Sequence, residues 1–479
     1  MSKLTLIAGG ERKIIEYTPP RLLADILAEN GIFTPHPCGK RGVCGKCTVN
    51  ISGDISVPDE REIKIGARLS CRTTLLGDAE LMLDTKSGEY ELHTEKAELQ
   101  AKDDLKLGAA IDIGTTTVVA SVYELDSQRL LGKAQTKNRG TAIASDVMGR
   151  IEAACNGDAD FLSSSARDTV NELINEITGG KGTVERRVTV GNTAMLYLAL
   201  GMDAHELSRA PFWASELFGK ETDLGYVPPC ISAFVGADLT AALLASDMAR
   251  AGYKAALLCD IGTNGEIALY KDGVIYATST AAGPAFEGVA IKMGSTAIPG
   301  AIEHVSNENG KIKISVIGNT KPKSICGSGI LEAVSAGLEL GIIDESGRMS
   351  GEFKLSENVS VFPEDVREIQ SAKAAIAAGI ATLFSASNTN PNEIERCYIA
   401  GAFGKKCSEK SILRLGLLPR ELSGKLEFIG NAALDGAAQM LLSDEKREEL
   451  KEILKNAKHI SLGGNPVFNE AFIDNISFE

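Results

Sequence analysis

The 479-residue chain has little of what marks a membrane, nucleic-acid or secreted protein. No apolar run approaches the ~18 residues needed to cross a bilayer, so no membrane span is expected. The opening Met-Ser-Lys-Leu-Thr-Leu-Ile-Ala-Gly-Gly reaches a glycine turn too early for a signal peptide. No basic block offsets the formal net charge of −14, which argues against nucleic acid as a main partner. The five histidines are scattered, so no histidine-rich metal centre is expected. Six of the ten cysteines, Cys155, Cys230, Cys259, Cys326, Cys397 and Cys407, lack metal-ligand spacing and read as buried reduced thiols. Together these absences lead to the expectation of a soluble protein in a reducing cytoplasm. The length is too great for one core and suggests about three units, each with enough of the 44% hydrophobic content to bury its own.

The remaining four cysteines are closely organised. Cys38, Cys44 and Cys47 stand at C-x5-C-x2-C on one loop, and Cys71 follows in Leu-Ser-Cys-Arg. Three thiolates on a tight loop and one distant ligand is the layout that wraps a [2Fe-2S] rhomb. Gly39, Gly42 and Gly45 let that loop curl with positive φ and turn amide N–H groups toward the sulfurs. A structural zinc site normally shows two short ligand pairs, and only Cys44 and Cys47 form one. His36, between Pro35 and Pro37, reads as a loop spacer. Lys40 and Arg41 place positive charge beside the cluster, either raising its potential, docking an acidic partner or simply solvating the loop.

The flanks suit an α+β ferredoxin of the β-grasp type. Lys3 to Ala8 and Arg12 to Tyr17 predict a hairpin about Gly9-Gly10. Leu22, Leu23, Ile26 and Leu27 predict a covering helix over Arg21 to Asn30, stopped by Gly31. This domain is assigned to residues 1–93, and a charged stretch at 94–107 to a linker with a reach of a few tens of Å.

Beyond the linker, Asp112-Ile-Gly-Thr115 and Asp260-Ile-Gly-Thr263 repeat one tetrapeptide, each in a strand, glycine turn, strand pattern. A repeat at that distance implies duplicated domains. The turn N–H groups and hydroxyls can cradle phosphate oxygens, and an aspartate at the strand end suits Mg²⁺ with its waters. Two such hairpins facing each other would clamp a nucleotide's phosphates. Two Gly/Ala-rich helices, at 232–245 and 429–441, have small faces that allow a close crossing. Tyr398 to Gly404 reads as a strand running into a small-residue turn, and the tail as a charged helix followed by a strand near Ile460 to Phe468.

The order of hairpin, helix, hairpin, strand-turn and helix resembles the actin, sugar-kinase and heat-shock-chaperone ATPase superfamily. That resemblance implies a duplicated α/β, actin-like (ribonuclease-H-like) fold, divided here into 108–250 and 251–479. With the ferredoxin in front, and with Val190-Gly-Asn-Thr-Ala-Met195, Ala281-Ala-Gly-Pro-Ala-Phe-Glu-Gly288, Ile325-Cys-Gly-Ser-Gly-Ile330 and Ile399-Ala-Gly-Ala-Phe-Gly404, the chain resembles the reductive activators of corrinoid proteins, the RACo family. It reads as a compact variant, because only the linker separates ferredoxin from ATPase.

The resemblance implies ATP-dependent transfer of one electron from a [2Fe-2S] cluster to Co(II) corrinoid on a partner, restoring Co(I) for methyl transfer. It also implies ATP and Mg²⁺ as cofactors, a corrinoid protein of a methyl-transfer system and an upstream electron donor as partners, and a homodimer. Asp112 and Asp260 are the candidates for Mg²⁺ and water. Gly114, Thr115, Thr116, Thr117, Gly262, Thr263, Asn264 and Gly265 are the candidates for phosphate. Glu287 and Glu266 either orient the attacking water or form surface ion pairs. Gly327, Ser328 and Gly329 are expected to line the nucleoside pocket, and Gly401 with Gly404 to admit the base. Three other readings compete: an electron-injecting activator of a radical dehydratase or reductase, an ATP-switched scaffold with a sensory cluster, and a small-molecule kinase, for which a tethered cluster has no use.

Overall fold

The computed structural model describes all residues except 9–10, 31, 33, 35, 37–39, 43–44, 46, 84–92, 97–104, 289, 402–406 and 479. It forms two compact units, Met1–Glu185 with Ala194–Trp213, and Arg186–Thr193 with Ala214–Glu479. This division differs from the expected one, since the ferredoxin shares a unit with the first ATPase hairpin.

In the first unit, Ser2–Ala8 pairs antiparallel with Glu11–Tyr17 and parallel with Thr74–Leu83, which pairs in turn with Thr48–Ile55. That mixed sheet is the β-grasp. Helix Leu23–Glu29 covers it, burying Leu23, Ile26 and Leu27 against Leu4, Leu75 and Leu81. The helix starts two residues later than expected because Arg21–Leu22 pairs with Thr74 and Leu75 as a short strand.

Strands Lys106–Ile113, Thr117–Glu124 and Arg129–Lys137 form an antiparallel meander. Helix Ala159–Thr178 lies on it and buries Leu162, Ala166, Val170, Leu173 and Ile177, one apolar face at helical spacing. It stops at Gly179, whose φ of 63° is the left-handed cap that glycine takes without strain. The stretch expected as a linker begins as a strand, His93–Lys96, paired with Gly132 to Gln135 on the outer edge of this meander. Its charged sequence hid a strand that exists only because the neighbour offers an unpaired edge.

The second unit repeats the meander with Ala255–Ile261, Gly265–Lys271 and Val274–Thr280. Arg396–Gly401 and Leu426–Gly430 extend one side in parallel, and Ala457–His459 the other. Helices Ala237–Ser246 and Ala432–Leu442 pack face to face, so closely that a Cβ on Gly436 would stand 2.0 Å from the Ala241 carbonyl. The tail's strand lies earlier than expected. Pro466–Asp474 is a helix instead, opened by Pro466 and capped by the Asn465 side chain, which accepts from Val467 N–H.

One expectation needs correction on apolar length. Helix Pro363–Ser387 is long and apolar enough to cross a membrane by length and composition, its alanines and glycine counting with its isoleucines, yet 72% of its most apolar window is buried inside the unit. It is a core helix, with Ile369, Ile376, Ile380 and Leu383 fully buried.

Candidate functional site

At the cluster loop, Cys47 and Cys71 are buried with their sulfurs 3.2 Å apart. Cys38 and Cys44 lie outside the described residues, as does Gly39. The shared Cys71 hydrogen bond lowers the Cys47 thiol to about 4, against the opposing effect of burial and with help from His36. Two close, buried sulfurs, one of them already favoured as thiolate, suit a thiolate-bound metal cluster. Gly42 and Gly45 have φ of 72° and 68°, the curled backbone expected of them. None of the eight described cysteines forms a disulfide. Among the described residues no three-ligand metal group converges.

The loop is held from several sides. Glu62 accepts from Leu69 N–H at 2.8 Å, Arg68 Nε at 3.1 Å and Thr73 Oγ at 3.2 Å, pinning the turn that carries Cys71. Lys40 is paired with Asp25 at 2.8 Å, so part of the positive charge expected beside the cluster is neutralised. His36 is no spacer. It is buried, with Nδ1 2.6 Å from the Ala142 carbonyl and Nε2 3.0 Å from Ser70 Oγ.

In the first unit's hairpin, Asp112 lies one residue from the end of its strand, opposite Val119, and Gly114, Thr115 and Thr116 make the turn, with Thr117 opening the next strand. Thr115 and Thr116 are buried. The three successive turn carbonyls are each held by a hydrogen bond from Asn138 or Arg150. Gly114 O accepts from Asn138 Nδ2 at 2.7 Å, Thr116 O from Asn138 N–H at 2.7 Å, and Thr115 O from the Arg150 guanidinium. With its carbonyls tied to Asn138 and Arg150, the turn retains the glycine and threonine N–H groups and hydroxyls that suit a phosphate. Arg150 and Asn138 are residues that sequence reasoning missed. Arg150 sits 35 positions away on a helix and has no local signature.

In the second unit's hairpin, Asp260 pairs across the ladder with Glu266, and the turn is Gly262, Thr263 and Asn264, followed by Gly265. Thr263 Oγ donates to Glu287 Oε1 at 2.7 Å, and Gly283 N–H donates to Thr263 O at 2.9 Å. Glu287 therefore lies at the turn rather than in a surface ion pair. Glu266 differs: burial first, then nearby Asp238 and Asp260, raise its carboxyl well above the usual carboxylate range. Glu266 is also bonded to Ser279 Oγ at 3.3 Å. Asp238, on the first turn of helix Ala237–Ser246, is an acidic neighbour that sequence reasoning did not single out. Asp238 and Asp260 are thus close enough to Glu266 to act on its charge.

The remaining expected positions that are described make close backbone contacts. A Cβ on Gly327 would lie 1.7 Å from Phe286 O, and one on Gly329 2.2 Å from Ile302 O, so Gly327 lets helix Gly327–Glu339 approach the turn bearing Glu287 and Gly329 lets it approach strand Ala301–Glu308. Ser328 Oγ donates to Glu303 O at 2.9 Å. Gly401 has φ of 90°, and a Cβ there would meet Asp260 Oδ1 at 2.4 Å, so it makes room for Asp260. Gly404 lies outside the described residues.

The chain matches three family models: the 2Fe-2S iron-sulfur cluster binding domain over residues 7–76, the RACo middle region over 107–251, and the C-terminal domain of RACo, the ASKHA domain, over 254–479. It is 34% identical over 419 residues to the corrinoid activation enzyme RamQ of Eubacterium limosum, a match covering 78% of this chain and 70% of that protein. It is 26% identical over 417 residues to the [Co(II) methylated amine-specific corrinoid protein] reductase of Methanosarcina barkeri, covering 78% and 77%. A solved structure titled reductive activator for corrinoid, iron-sulfur protein is similar throughout, at a TM-score of 0.72 and 26% identity, covering 100% of this chain and 98% of that one.

Proposed function

The chain belongs to the RACo family of corrinoid-protein activators, and from that premise we propose that it uses ATP to pass one electron to the Co(II) corrinoid of a partner protein, restoring Co(I) for methyl transfer. The observation that carries this reading is a ferredoxin loop with buried Cys47 and Cys71 on the same chain as two phosphate-type hairpins. A bound [2Fe-2S] centre supplies the one-electron chemistry, at a potential near roughly −400 mV for clusters of this class.

Every other part belongs to the chain's own residues. Cys38, Cys44, Cys47 and Cys71 hold the iron. The two turns, Gly114 to Thr117 and Gly262 to Gly265, bind phosphate, with Asp112 and Asp260 holding Mg²⁺ through water. Glu287 is the better placed acceptor for the attacking water, because its carboxylate already touches Thr263, whereas Glu266 is held toward its neutral form. Co(I) is a stronger reductant than such a cluster, and each ~59 mV of one-electron deficit corresponds to about 1.4 kcal/mol. ATP offsets that deficit only by favouring one conformation of the complex over another.

The same reading includes an upstream electron donor, a homodimer and a reducing cytoplasm, and takes residues 1–93 as the electron-carrying part and 108–479 as the ATPase. The decisive experiment mixes reduced protein, Mg-ATP and a Co(II) corrinoid protein of a methyl-transfer system. The Co(I) absorption should rise with ATP and not without it. No Co(I) with any such partner would sink the proposal.

A further inference from the structure

The cluster loop and the first phosphate hairpin lie in one unit and meet at one short segment, residues 138–144. On one side of that segment, Asn138 binds the carbonyls of Gly114 and Thr116, each at 2.7 Å. Arg150 joins the Thr115 carbonyl to that of Ala144, the latter at 2.9 Å from its Nε. The segment is internally tied. Asn138 Oδ1 accepts from Gly140 N–H at 2.8 Å, and Asn138 O accepts from Thr141 Oγ at 2.7 Å.

On the other side, Ala142 O faces His36 Nδ1 at 2.6 Å. A carbonyl only accepts, so Nδ1 carries the proton, and in the neutral ring Nε2 accepts from Ser70 Oγ. Ser70 N–H donates to Cys47 O at 2.9 Å, and Ser70 directly precedes Cys71. The path from phosphate turn to the cysteine backbone thus runs through a chain of hydrogen bonds, with buried His36 as its crossing point between ferredoxin and ATPase.

We propose that His36 is a positioning residue that couples the cluster to nucleotide occupancy. Phosphate settling on Gly114 to Thr116 fixes the Asn138–Ala144 segment, the segment fixes His36, and His36 sets the hydrogen bonding around Cys47 and Cys71. The proposal rests on the reading of the cysteines as cluster ligands and of the hairpin as an ATP site. Linkage makes the coupling reciprocal: a nucleotide that shifts the cluster's potential must bind the oxidised and reduced forms with different affinity.

The test uses the full holoprotein, with a non-hydrolysable ATP analogue and Mg²⁺. The wild type should bind the analogue about tenfold differently in its two redox states, which equals a potential shift of about 59 mV for one electron. His36→Ala should keep the cluster spectrum and analogue binding but lose the shift. His36→Asn, which keeps a side-chain N–H in reach of Ala142 O, should recover at least half of it. A wild-type potential indifferent to the analogue, an unaltered shift in His36→Ala, or a cluster-bearing His36→Asn without the shift overturns the proposal.

Where the alanine variant does not retain its cluster, hydrogen exchange in the wild type decides. The analogue should slow exchange at residues 70–72 as well as at 114–116, and unchanged exchange at 70–72 rejects the coupling. Absence of cluster signal or analogue binding in the wild type itself refutes the underlying functional reading, a result distinct from loss of coupling.

Discussion

Glu287 accepts a hydrogen bond from the hydroxyl of Thr263, a contact that holds its carboxylate at the second phosphate-type turn. Glu287→Gln should slow phosphate release by about a hundredfold, a typical cost for a lost proton acceptor, while ATP affinity changes only a few-fold. Steady-state phosphate release and equilibrium binding check the two halves. Cys71→Ser should abolish the visible absorption of the cluster and leave ATP binding intact. Lys373 gives a pH prediction away from both sites: burial lowers its amine to about 8, and Nζ donates to the Ser477 carbonyl. Its value in the fold lies below the unfolded 10.5, so the unfolded chain binds more protons between them and stability rises as pH climbs from about 8 to 10.5. Lys373→Met should flatten that rise, by at most about 3 kcal/mol, in melting curves taken across the interval. Glu287 and the cysteines could be singled out from the sequence because each sits in a motif whose chemistry is local. His36 was misread and Arg150 overlooked because their roles depend on Ala142 and Thr115, 106 and 35 positions away.

Helices Ala237–Ser246 and Ala432–Leu442 were legible as a close pair because alanine and glycine leave backbone as the contact surface. Gly436→Ala should push them apart at the Ala241 carbonyl and cost about 1–3 kcal/mol, read as a lower melting temperature. The first two strands of each meander were likewise legible from their shared tetrapeptide, whereas the third strands, Arg129–Lys137 and Val274–Thr280, were not. The strand His93–Lys96 was not, since four polar residues carry no pattern and the ladder is supplied by Gly132 to Gln135. The tail failed for the opposite reason. Its Ile460 to Phe468 run looked extended, but Asn465 and Pro466 are a helix start, a signal outweighed by the apolar residues around it.

At the scale of the molecule, removing iron with a chelator should end Co(II) reduction while ATP still binds, and adding iron and sulfide should restore it; absorbance and binding report separately on the two halves. The same chain that stitches His93–Lys96 into the ATPase meander begins, ten Cα steps earlier, at Leu83 in the ferredoxin sheet. Ten steps reach at most about 36 Å, so the cluster domain is leashed to that edge as well as docked by His36. The docking contact at His36 is therefore an intramolecular one, whose formation dilution of the protein does not slow.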